Sequence, residues 1–90
     1  MKLLVVEDEA LLRHHLYTRL GESGHVIEAV ADAEEALYQA EQFHFDLAVI
    51  DLGLPGISGL ELIGRLRSQG KTFPILIPVS YTHLTLPTTF

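Results

Sequence analysis

The 90-residue sequence predicts an α/β fold, a doubly wound parallel sheet. Three observations carry that expectation. Short apolar runs alternate with longer stretches whose apolar residues recur every three or four positions, the links are short, and two of the apolar runs end in acidic residues. Strand and helix signals that alternate with short links imply parallel strands joined by right-handed crossovers. No segment repeats another.

Lys2 to Val6 is a short apolar run of the kind that forms a parallel strand covered on both faces. Glu9 to Ser23 carries Leu12, Leu16 and Leu20 at every fourth position, with Gly21 and Gly24 at its exit, so a first helix is predicted there. His25 to Val30 is β-rich but interrupted by Glu28, which suits an edge strand. Asp32 and Glu35 form a D-x-x-E start resembling a capping box, and Ala33, Ala36, Leu37, Ala40 and Phe43 fall on one face of a second helix. Leu47 to Ile50 is the third strand. Gly53-Leu54-Pro55-Gly56-Ile57 follows as a loop whose glycines and proline fix a tight path. Ser58 and Glu61 make another capping box, leading into Gly59, Leu62, Ile63 and Leu66 on one helical face. Gln69-Gly70 ends that helix, and Pro74 to Ile77 begins a fourth strand.

The length allows one small domain. A hydrophobic content of 48% fits a folded globular chain, and a net charge of -6 argues against a nucleic-acid surface within these residues. There is no cysteine, so disulfides and thiolate metal sites drop out. The N-terminus lacks a basic segment followed by a long apolar stretch, and no run approaches the ~20 apolar residues of a membrane span. A cytoplasmic chain is the expectation.

The chemistry lies in the acidic residues. Asp51 ends the run Leu47-Ala48-Val49-Ile50, and Glu7-Asp8 ends the equivalent run Leu3-Leu4-Val5-Val6. A carboxylate at the end of a buried strand is costly to desolvate, so two such strands suggest three carboxylates gathered for a purpose. Ligands of open parallel sheets sit outside the carboxyl ends of the strands, where strand order reverses. If strands one and three are neighbours, Asp8 and Asp51 face each other across a shallow pocket. Carboxylates this close repel one another and raise at least one pKa unless a cation enters. Mg²⁺ suits such all-oxygen ligands, and a carboxylate beside it can attack phosphorus to give an aspartyl phosphate.

Each of these residues also has a plainer role. Glu7 or Asp8 alone would read as a helix cap, a reading that the matched Asp51 outweighs. Gly53, Pro55, Gly56 and Gly59 shape a turn, and Ser58 is an N-cap with no paired base. His14, His15, His25 and His44 show no ligand pattern. Phe43, Phe45 and Tyr17 are assigned to the core, and Arg13, Arg19, Arg65 and Arg67 to solvated helix faces.

Val5-Val6-Glu7-Asp8-Glu9, Asp51 after its strand, and Leu54-Pro55-Gly56-Ile57-Ser58-Gly59 resemble the receiver domain of two-component response regulators, over Met1 to Ile77. Glu7 to Leu16 with Asp51-Leu52-Gly53-Leu54-Pro55 looks closest to the PhoP branch, whose members carry a winged-helix DNA-binding domain after the receiver. The resemblance implies the flavodoxin-like strand order 2-1-3-4-5, an order that comes from the family and not from periodicity. It further implies Asp51 as phosphoacceptor, Asp8 as a direct Mg²⁺ ligand, Glu7 as a ligand directly or through water, and the Gly53 carbonyl as another. A sensor histidine kinase would be the phosphodonor, the domain would be regulatory rather than enzymatic, and DNA would be met only through an output domain outside these residues.

The sequence departs from the family pattern after Ile77. Val79 occupies the position of the family's hydroxyl residue, with Ser80 one place late, and no lysine follows Lys71. The surface from helix four to helix five, which the family uses to form homodimers, has no counterpart. From Thr72 to Phe90 there is no Asp, Glu, Lys or Arg, and most of the chain's threonines lie there. Val79 to Thr89 looks like the in-frame translation of a transposon-based sequencing adapter. The expected division is a partial receiver over 1–77, truncated after strand four, and a non-native tail over 78–90. Two other readings stand beside the switch: a fragment or interaction module without chemistry, and an enzyme on a doubly wound sheet, such as an aspartyl-phosphate phosphatase or a nucleotide-binding domain. The second lacks the further Asp two residues after Asp51, where Gly53 stands, and no G-x-x-x-x-G-K-[ST] occurs.

Overall fold

The computed structural model describes residues 1–78 and 88–89. Strand β1 (Lys2–Val6), helix α1 (Ala10–Glu22), β2 (Val26–Val30), α2 (Ala33–Gln42), β3 (Leu47–Ile50), α3 (Gly59–Ser68), β4 (Ile75–Ile77) and β5 (Thr88–Thr89) follow in that order. They build one sheet in the order β2-β1-β3-β4-β5. The first four strands are parallel, as expected. The fold is thus the expected doubly wound α/β sheet through β4, with β2 at the edge.

The fifth position differs from the expectation. Thr88–Thr89 pairs antiparallel to β4, with Leu76 opposite Thr89 and Ile77 opposite Thr88, where the family order implied a parallel fifth strand. Residues 78–87 are too few for a helical crossover, which needs a dozen or more, so the chain can only return in the opposite sense. The expectations for Val79 and Ser80 fall outside the described residues.

Register decides which side chains share a face. Leu4 and Val6 stand opposite Ala48 and Ile50, and Ala48 stands opposite Ile75, so one face presents these together with Ile77. All are buried, in one cluster with Ala33, Ala36 and Ala40 of α2 and Leu62, Ile63 and Leu66 of α3. Small alanines let α2 approach the sheet closely, while the branched residues of α3 fill the remaining depth. The opposite face carries Leu3, Leu47, Val5, Val49 and Leu76; Leu3 and Val5 are buried, whereas Leu47, Val49 and Leu76 are half-buried. Helix α1 contributes no buried residue, and its Leu12, Leu16 and Leu20 are half-buried.

Both capping boxes begin as expected. Asp32 Oδ1 accepts from Glu35 N at 2.8 Å, and Ser58 Oγ accepts from Glu61 N at 3.2 Å, each satisfying a donor that the first helical turn leaves free. Two aromatic assignments are corrected. Tyr17 is 49% exposed on α1, and Phe43, equally exposed, leaves the α2 face because it is the extended C-cap residue, with its ring under Lys2 Nζ at 4.1 Å. Phe45 alone of the three is core. Among the described residues no helix is long and apolar enough to cross a membrane.

Candidate metal and phosphoacceptor site

Strand β1 is flanked by β2 and β3, so Val6 pairs with Val30 on one side and Ile50 on the other. One further bond on each side extends these ladders past the strand ends: Glu7 N donates to Val30 O and Asp51 N to Val6 O, both at 3.0 Å. Residues immediately after β1 and β3 are therefore held side by side, at the point where strand order reverses. Glu7, Asp8 and Asp51 each bring a carboxylate oxygen within 4.8 Å of the others. Among the described residues this is the one such group of His, Cys, Asp and Glu, and no histidine joins it.

The three carboxylates occupy different environments. Glu7 is only 2% exposed, Asp51 is half-buried, and Asp8 is open to solvent. Burial pushes the Glu7 carboxyl up from 4.5 to about 7, helped by the charge of Asp51 and by the hydrogen bond and charge of Asp8; the Glu9 N–H, donating to Glu7 Oε2 at 3.1 Å, opposes the rise without cancelling it. The same bond shows that the capping reading holds some truth. Glu7 secures the backbone at Glu9, the N-cap of α1, which has no side-chain cap of its own. A divalent cation fits this donor set, because its charge would favour the ionised form of a carboxyl that burial first, and acidic neighbours second, now disfavour.

Asp51 is oriented from its own loop. Gly53 N donates to Asp51 Oδ1 at 3.2 Å, so the residue expected to supply a carbonyl lies beside the carboxylate and already binds it through its N–H. The loop turns through Gly56, whose φ of 70° lies in the left-handed region that glycine tolerates.

Helix α3 begins directly against the backbone of Asp51 and Leu52. Gly59 N donates to Leu52 O at 3.3 Å, and a Cβ at Gly59 would overlap the Asp51 carbonyl oxygen and stand 2.7 Å from Leu52 Cα. Gly59→Ala is therefore expected to destabilise the fold by roughly 1–3 kcal/mol, since only backbone movement relieves the overlap. Gly64 in the same helix has nothing within 4 Å, so Gly64→Ala is expected to stabilise by about 0.5–1 kcal/mol through helix propensity. Urea denaturation of both variants, made in a receiver completed after Ile77 with the corresponding residues of a relative, checks the pair. Equal shifts in the two would remove the close-packing role from Gly59.

Arginines are where sequence reasoning missed most. Arg65 does pair with Glu61 on a solvated face at 2.6 Å. Arg67 Nη1 instead ties down the Lys71 and Phe73 carbonyls at 2.9 and 2.8 Å, and Arg13 Nη1 donates to the carbonyls of Glu7 and Asp8. For Arg13 the missed signal was direction. Helical side chains tilt towards the N-terminus, so an arginine one turn into α1 reaches back over the preceding loop.

Comparison with known proteins agrees with this architecture. Residues 3–87 match the response regulator receiver domain family. The chain is 80% identical over 77 residues to the two-component response regulator PhoP of Pseudomonas aeruginosa, and 51% identical over 77 residues to the virulence transcriptional regulatory protein PhoP of Salmonella typhimurium. Each alignment covers 86% of this chain and 34% of the relative, so the chain spans about a third of the length of these proteins. Among solved structures, the Thermotoga maritima response regulator TrrA in complex with Mg²⁺ and BeF superposes with a TM-score of 0.78 at 39% identity, over 82% of this chain and 64% of that one. The structure of histidine kinase ThkA in complex with TrrA matches with a TM-score of 0.81 at 38% identity, over 91% and 71%. With three strand-end carboxylates on a 2-1-3-4 parallel sheet and a family match over most of its length, the chain belongs to the response regulator receiver domain family.

Proposed function

We propose that Asp51 is the phosphoacceptor of a signalling switch, and that Glu7, Asp8, Asp51 and the Gly53 carbonyl hold Mg²⁺. The observation that carries the proposal is the three-carboxylate cluster, in which Asp51 is accessible and its carboxylate is oriented by the Gly53 N–H. An ionised Asp51 oxygen forms a bond to phosphorus, the bond from phosphorus to a donor's imidazole nitrogen breaks, and that nitrogen leaves with its electron pair and takes up a proton. Bound Mg²⁺ supplies positive charge that offsets the carboxylates and the phosphoryl oxygens. The domain acts as a regulatory acceptor rather than an enzyme with turnover.

A sensor histidine kinase fits as donor, in keeping with the ThkA–TrrA complex. By similarity to the PhoP proteins, the whole protein would be a cytoplasmic transcription regulator whose DNA contacts, like any helix four to helix five dimer surface, lie outside these residues. Residues 1–77 form the receiver portion, and 78–90 are assigned as foreign sequence. The 77-residue extent of the relatives' alignments and the reversed β5 support that division, although the family match itself continues to residue 87.

A hybrid makes the test possible. Residues 1–77 are continued with the rest of the receiver of Pseudomonas aeruginosa PhoP, whose 80% identity keeps the packing across the seam. Incubated with Mg²⁺ and a small phosphodonor, the hybrid is expected to gain one phosphoryl group by intact mass, and its Asp51→Asn variant none. Equal incorporation in both would sink the assignment.

A further inference from the structure

We infer that Arg13 is a positioning residue for the metal site: its guanidinium clamps the turn between β1 and α1 so that Glu7 and Asp8 are presented to one cation. The inference rests on the Mg²⁺ site proposed above. Arg13 Nη1 donates to the Glu7 carbonyl at 3.0 Å and to the Asp8 carbonyl at 3.3 Å. These are the backbones of the two residues whose side chains meet Asp51. One donor thus reaches the backbones of both of those residues.

The turn needs such a tether. It begins after Val6, the last paired residue of β1, and ends at Glu9, an N-cap without a side-chain capping bond. Glu7 N is held by Val30 O at the strand end, but the Glu9 N–H bond to Glu7 Oε2 further along the turn uses the very carboxylate that a cation would recruit. Ligation competes with that bond. The Arg13 bonds end on carbonyls, so they hold the turn whether or not Glu7 and Asp8 are engaged. Arg13 is itself anchored one turn into α1, where its N–H donates to Glu9 O at 2.9 Å, and its side chain is half-buried. Partners that orient metal ligands without touching the metal commonly influence affinity as strongly as this geometry requires.

A charged bystander and a clamp predict opposite signs. Removing a positive charge near three carboxylates should tighten cation binding by electrostatics alone, whereas releasing the turn should weaken it. Mg²⁺ titration calorimetry on the hybrid, with Arg13→Ala, Arg13→Lys and Asp8→Ala, separates them. Arg13→Ala is expected to bind Mg²⁺ on the order of 10-fold more weakly. Arg13→Lys, whose ammonium reaches the same carbonyls, should retain most of the affinity. In metal-free protein, amide exchange of residues 7–10 should quicken in Arg13→Ala and not in Arg13→Lys. Should Arg13→Ala not fold, Arg13→Gln replaces it, keeping an apolar stem too short for the carbonyls. Unchanged or tighter Mg²⁺ binding in the folded Ala or Gln variant overturns the clamp, as does a Lys variant as weak as Ala. If Asp8→Ala abolishes binding while Arg13→Ala does not, only the clamp fails; if Asp8→Ala also binds normally, the metal site itself is wrong.

Discussion

Metal-free hybrid is expected to lose about 3 kcal/mol of stability as the pH climbs from below the ordinary carboxylate range to above neutrality, and Mg²⁺ is expected to reverse the loss. The cause is Glu7, whose carboxyl is raised from 4.5 to about 7 by burial, then by Asp51 and Asp8. Below 4.5 the folded and unfolded states both hold the proton, and Glu7 imposes no penalty. Between 4.5 and about 7 the unfolded chain releases its proton first, which favours unfolding increasingly as pH rises. Above that window both states are ionised, and the folded state bears the full cost of a buried charge beside two others. Mg²⁺ requires ionised ligands, so its binding should release a proton near neutrality and strengthen as pH rises towards 7. Urea denaturation from about pH 5 to about pH 8, with and without Mg²⁺, is the measurement. Glu7→Gln should flatten the metal-free profile. A slope that survives in Glu7→Gln would place its origin elsewhere.

The second large effect is the difference between the 90-residue chain and the hybrid. The 90-residue chain is expected to melt broadly or aggregate, and the hybrid to melt sharply as a monomer. On the α2–α3 side of the sheet the core is closed, from Leu4 and Val6 to Ile75 and Ile77. On the other side Leu47, Val49 and Leu76 remain half-buried, as do Leu12, Leu16 and Leu20 of α1. Covering each of these aliphatic side chains is worth about 1 kcal/mol, and together they exceed a large part of the few kcal/mol by which a domain of this size is stable. Among the described residues the outer edge of β4 is met by the two residues of β5, which is little pairing to protect an apolar strand. Scanning calorimetry with sedimentation velocity checks both proteins. A sharp, monomeric transition in the 90-residue chain at the temperature of the hybrid would show that the tail completes the fold.

Much of the fold and site was legible because its causes are local. Lys2–Val6 and Leu47–Ile50 are strands where the apolar runs placed them, and the Asp32 and Ser58 caps start α2 and α3 because an oxygen three residues before a free N–H has one economical partner. The buried face of α3, Gly59, Leu62, Ile63 and Leu66, is read directly from helical periodicity. Glu7, Asp8 and Asp51 could be singled out because an acidic residue ending an apolar strand is costly wherever that strand lies. Strand order was different in kind: it came from resemblance, since periodicity does not say which strand lies beside which.

Tertiary structure decided what depends on neighbours distant in sequence. Tyr17 stays exposed on α1, a helix without a buried residue, and Phe43 is displaced because α2 stops before it and the chain extends towards Lys2. The antiparallel sense of β5 follows from the length of chain available after Ile77. Arg13 and Gly59 read as a solvated charge and a turn residue until the fold laid one over the Glu7 and Asp8 carbonyls and the other against the Asp51 backbone. Hydrophobic period and capping are settled within a turn or two of chain, so sequence alone determined the elements and the acidic residues at their ends. Which carbonyl an arginine reaches, and how close two backbones pass, is set by the packing of whole elements, and only the assembled sheet and helices decide it.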